Sequence, residues 1–87
     1  MKRPSNWQLV EMYEGNFIFQ DSQEEFQVSV DRMGRMTPPY HVHFSHLKDK
    51  LLRIGVSEST YSANAYDENA AMGKAYEMME FINRNRR

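Results

Sequence analysis

The stretch PSNWQLVEMYEGN, residues 4–16, decides how the fold is read. Ser5 is followed three residues later by Gln8, the spacing of a capping box, in which each side chain satisfies a backbone N–H that the first helical turn leaves without a partner. Gly15 suits the turn after a helix, where a left-handed residue is needed. The spacing therefore predicts a short helix from Asn6 to Glu14. The competing reading is a strand from Trp7 to Tyr13, because Trp7, Leu9 and Val10 serve either state.

Downstream of Gly15 the pattern turns to strands. FIFQ (17–20) is apolar and is separated by the polar turn DSQE from EEFQVSV (24–30). In the latter, Phe26, Val28 and Val30 alternate with Gln27, Ser29 and Asp31, the period of two expected of a half-buried strand. The loop DRMGRMTPP follows, broken by Gly34, Pro38 and Pro39. YHVHFSH (40–46) alternates again, with Tyr40, Val42 and Phe44 on one face and His41, His43 and Ser45 on the other, so the two strands are expected to pair antiparallel. The polar hairpin SHLKDK leads to a further expected strand, Leu51 to Ser59. The chain ends in an expected helix from Asn64 or Asp67 to Arg84. At 100° per residue Ala71, Ala75, Met78 and Ile82 share one stripe, flanked by Met72 and Met79, and this stripe should pack on the sheet. Gly73 lies towards the opposite face, where it weakens the helix and could mark a close contact.

The expected fold is thus α+β: a short N-terminal helix, a three-stranded antiparallel sheet with FIFQ as a candidate fourth strand, and a C-terminal helix packed on one face. Eighty-seven residues make one domain, 1–87, with basic, frayed ends near 1–4 and 84–87. The chain has no cysteine, which removes disulfides and thiolate zinc sites and leaves packing to stabilise it. A formal net charge of −1 provides no global field towards nucleic acid or a membrane. No long apolar run suggests a signal peptide or a spanning helix, so the expectation is a cytosolic protein, or a nuclear one if the source is eukaryotic.

Several segments resemble the double-stranded RNA-binding domain. NAAMGKAYEMM is similar to that family's last helix, with Ala70, Ala71, Lys74, Ala75, Tyr76 and Met79 in the matching places. FQVSVDRMGRMTPPYHVHF is similar to its first two strands and their loop, and LVEMY resembles its first helix, with Glu11 where a polar residue touches the RNA minor groove. The departures are at the RNA-gripping positions. Where the family has phosphate-binding lysines, NAYDE offers Asn64, Ala65, Asp67 and Glu68, and the loop DRMGRMTPP lacks the usual histidine. The resemblance therefore implies a degenerate member that binds a protein partner, including a second copy of itself, rather than RNA.

No glycine-rich phosphate loop, nucleophile elbow or zinc-peptidase helix is present, and SESTYS has no evident base, so no catalytic residue and no cofactor are expected. Seven methionines and eleven aromatics exceed what one small core hides, which makes Met33, Met36, Tyr61, Tyr76 and Phe81 candidates for a protein-binding surface. The alternative is nucleic-acid binding through Arg32, Arg35, Lys48, Lys50 and Arg53, with Glu11 at the position the resemblance assigns. A further alternative is a metal held by His41 and His43 on one strand face, with His46 or Asp31 as a third ligand. Neither a membrane nor a small-molecule substrate is expected as a partner.

Overall fold

A computed structural model describes residues 2–47 and 62–85. The elements are strands β1 (Trp7–Tyr13), β2 (Asn16–Asp21), β3 (Phe26–Arg32), β4 (Tyr40–His46) and β5 (Ser62–Ala65), followed by helix α1 (Glu68–Asn85). The strands form one antiparallel sheet in the order β1-β2-β3-β4-β5, each beside its neighbour in sequence. No helix among the described residues is long and apolar enough to cross a membrane.

The expected helix over Asn6–Glu14 is therefore corrected to a strand, and the helix-first order goes with it. The cause lies at both ends of the segment. Glu14 and Gly15 have φ of 45° and 82°, both left-handed, and they form the two-residue turn that joins Tyr13 to its partner Asn16. Paired left-handed residues match the twist of a hairpin, whereas a helix would end on only one of them. Asn16 holds this turn by donating from Nδ2 to the Tyr13 carbonyl at 3.1 Å. The positive φ favours glycine at this position, and a Cβ there would also stand 3.0 Å from Cδ of Arg32, whose side chain would have to shift. At the other end the Trp7 N–H donates to the Pro4 carbonyl at 3.1 Å, so the chain enters β1 through a turn.

The three-stranded sheet is likewise corrected to five described strands. FIFQ is indeed a strand, extended to Asn16–Asp21. The expected strand Leu51–Ser59 lies outside the described residues. The alternative helix start at Asn64 is corrected too, because Asn64 lies in SANA, which forms β5. The helix begins after Asp67, whose Oδ1 accepts from the Ala70 N–H at 2.8 Å, the contact of an N-cap residue.

The inner face of the sheet supplies Trp7, Phe17, Phe19, Phe26, Val28, Val30, Val42, Phe44 and Ala65 to one core, closed by Ala71, Ala75, Met78, Met79 and Ile82 of α1. The helix lies over β3, β4 and β5. Its far end is hydrogen-bonded to Trp7 of β1 and to Asn6 just before it. Asn83 Oδ1 accepts from Trp7 Nε1 at 3.1 Å and from Asn6 Nδ2 at 2.9 Å, and Asn83 Nδ2 donates to Asn6 Oδ1 at 3.0 Å. Gly73 marks no close approach among the described residues, none of which lies within 4 Å of where its Cβ would stand.

The β2–β3 turn is organised by Asp21, a fully buried carboxylate. Its Oδ1 accepts from the N–H groups of Glu25 and Phe26, each at 2.8 Å, and its Oδ2 from that of Gln23 at 3.3 Å. Hydrogen bonds from the main chain offset the cost of burying such a group. They also fix the register from which Phe26 enters the core.

Candidate functional site

Three surfaces could carry recognition, and β1 is the first. Only Trp7 of its seven residues is buried, and the other six are exposed. Among the described residues it pairs with β2 alone, so its second edge presents backbone N–H and C=O groups with no strand beside them. The pairing with β2 slips between Leu9 and Glu11, which makes Val10 the extra residue of a bulge. Leu9 faces Phe19 and Met12 faces Phe17 across the hairpin, so both stand on the inner face of the sheet, at the rim of the core. Glu11 faces Ile18 on the outer face. The exposures are large for apolar side chains: Leu9 39%, Val10 46%, Met12 63% and Tyr13 52%.

The second surface is the outer face of the sheet, which no described helix covers. Here the registers Asp31↔His41, Ser29↔His43, His41↔Asn64 and His43↔Ser62 bring polar residues of three strands together. His43 Nε2 donates to Asp31 Oδ2 at 2.7 Å, and His41 Nδ1 donates to Asn64 Oδ1 at 2.9 Å. The two imidazoles lie 5.4 Å apart by ring centroid. Each histidine thus spends one nitrogen on a neighbour. His46 cannot join them, because it turns to the inner face and packs on Phe26 and Phe44, with centroids 5.1 and 5.9 Å away. No group of three or more histidine, aspartate or glutamate side chains among the described residues is arranged to hold a metal ion.

The third surface is the β3–β4 loop, where Met33 and Met36 are 42% and 59% exposed and Arg32 and Arg35 are exposed beside them. Tyr76 and Phe81 lie elsewhere, half-buried against the core. The Tyr76 ring stands edge-on to Phe19 at 6.1 Å and 75°. Tyr61, Lys48, Lys50 and Arg53 fall outside the described residues. The candidate residues therefore do not converge: the loop methionines and arginines share one surface, while Tyr76 and Phe81 flank the core. Glu11 is exposed on β1, not on a helix.

Leu9, Val10, Met12 and Tyr13 were missed as surface residues, because on a helix part of that set would have been buried. The available signal was Glu14-Gly15 between two apolar runs, a two-residue hairpin turn in sequence. A second signal is charge. From residue 4 to residue 31 every charged side chain is acidic, namely Glu11, Glu14, Asp21, Glu24, Glu25 and Asp31. Comparison with family models, with curated proteins and with solved structures found no match for this chain.

Proposed function

We propose that this domain is a small, non-catalytic module for protein–protein interaction, and that β1 is the element it presents. The observation that carries this reading is a seven-residue strand with six exposed residues, four of them large apolar or aromatic side chains, at an edge of the described sheet. An open edge of this length is a template for another strand, and soluble proteins ordinarily blunt such edges with lysine, proline or a covering segment. β1 has neither lysine nor proline, and the Val10 bulge and Glu11 are its only such devices. The acidic run from Glu11 to Asp31 weighs against nucleic acid on this half of the sheet, because phosphate contacts need cations.

Site-specific photo-crosslinking tests the reading. A benzophenone side chain at Met12 should give a discrete adduct with an identifiable protein in the cells that produce the chain, and Leu9→Lys should remove that adduct. The same group at Ser45, on the outer face of the sheet, should give none. Equal adducts from both positions, or none from Met12, would contradict the proposal.

A further inference from the structure

We infer that the segment received by β1 is an extended strand of a different protein, with apolar side chains on one face and lysine or arginine on the other. This rests on the proposed use of β1 and adds the chemistry of its occupant.

Three features of the edge define that chemistry. First, the backbone groups on the edge of β1 that has no strand beside it among the described residues can be satisfied by another strand, which sets the conformation of the occupant as extended. Second, the two faces of β1 differ. Leu9 and Met12 continue the inner apolar face beside Phe19 and Phe17, so the residues of an added strand on that side meet hydrocarbon. Glu11 lies on the outer face with Gln8 and Tyr13, and Glu14 at the hairpin tip, all exposed, so residues on the other side meet a polar surface whose one charged group on the strand is the Glu11 carboxylate. Side chains of a strand alternate between faces, and an occupant alternating apolar and basic residues satisfies both at once. Third, no lysine or arginine occurs between residues 4 and 31, and Arg32, at the end of β3, lies against Gly15 at the hairpin tip beside Glu14, so Glu11 is the carboxylate of this edge with no cation from its own hairpin.

The same charge argues against a second copy of the chain. Antiparallel pairing of β1 with itself brings two acidic edges together, and every register that sets Glu11 opposite Glu11 or Glu14 is destabilised by like charges. The opposite edge of the described sheet, β5, is a less suitable platform, since it has four residues against the seven of β1 and no large apolar side chain among them.

The test uses the full chain and a blocked decapeptide of alternating lysine and valine, followed by amide chemical shifts. Shift changes should centre on residues 9–13, and the double variant Glu11→Lys/Glu14→Lys should weaken binding at least tenfold. Methylating the four central amides of the peptide should abolish binding, as should replacing its lysines with glutamate. Glu24→Lys, an acidic-to-basic change in the β2–β3 turn, should leave affinity within twofold. The inference is overturned if the methylated peptide binds equally, if Glu24→Lys weakens binding as much as the double variant, or if the lysine–valine peptide does not bind. It is also overturned if the free chain self-associates through β1. Should Met12 crosslink to a protein while the peptide fails, the occupant's chemistry is wrong and the use of β1 stands; failure of both removes the use of β1 as well.

Discussion

β1 and β3 are both seven-residue strands of one sheet, yet four residues of β3 are buried and only Trp7 of β1 is. Composition does not explain this, since Leu9, Val10 and Met12 are as apolar as Phe26, Val28 and Val30. Position explains it. β3 has β2 and β4 on either side and α1 above, whereas β1 has β2 as its one neighbouring strand among the described residues and is tied to α1 through Trp7, which donates to Asn83. Apolar residues outside the core stand on this edge. In a small domain, where the core has little area to spare, that edge is the surface most in need of a second role.

The contrast can be broken most severely at Trp7, the one point where β1 belongs to the core. Trp7→Ala should lower stability by about 3–5 kcal/mol, while Met12→Ala on the same strand should change it by less than about 0.5 kcal/mol, as read by urea denaturation. Comparable losses at the two sites would show that β1 is buried along its length.

Asp21 sharpens the comparison from the other side, because it fixes the turn through which β3 enters the core. Asp21→Ala leaves three main-chain N–H groups without their acceptor and should cost about 2–4 kcal/mol in the same measurement. A loss within experimental error would mean that the turn holds itself.

Gly73 gives the smallest effect and the opposite sign. A Cβ there meets open space and the residue sits within α1, so Gly73→Ala should add about 0.5–1 kcal/mol. For a domain of this size that corresponds to a rise in Tm of a few degrees. A fall would show that the glycine serves a contact.

The part of the fold that could be read from the sequence was the part held by simple periodicity. Phe26, Val28 and Val30 against Val42 and Phe44 alternate cleanly, and they pair as that alternation implies. The stripe Ala71, Ala75, Met78 and Ile82 is buried as its spacing requires. β1 was read wrongly because its signals overlap with those of a helix: Ser5 and Gln8 have the spacing of a cap, and the bulge at Val10 breaks the period of two. With Val10 inserted, Leu9 and Met12 share a face three positions apart, as they also would on a helix. β5 was not legible, because Ser62, Ala63, Asn64 and Ala65 carry little strand propensity and are held by pairing with β4. The candidate site shared the error of β1, since an edge strand exists only once the segment is a strand.

Amide hydrogen exchange of the free chain tests the central claim most directly. Val28, Val30 and Val42 should be among the most protected amides. Within Leu9–Tyr13, amides directed at β2 should be partly protected and those on the free edge should exchange nearly as fast as an unstructured peptide. Uniform protection across Leu9–Tyr13, matching that of β3, would mean that the edge is already covered and that β1 is not the surface this protein offers to a partner.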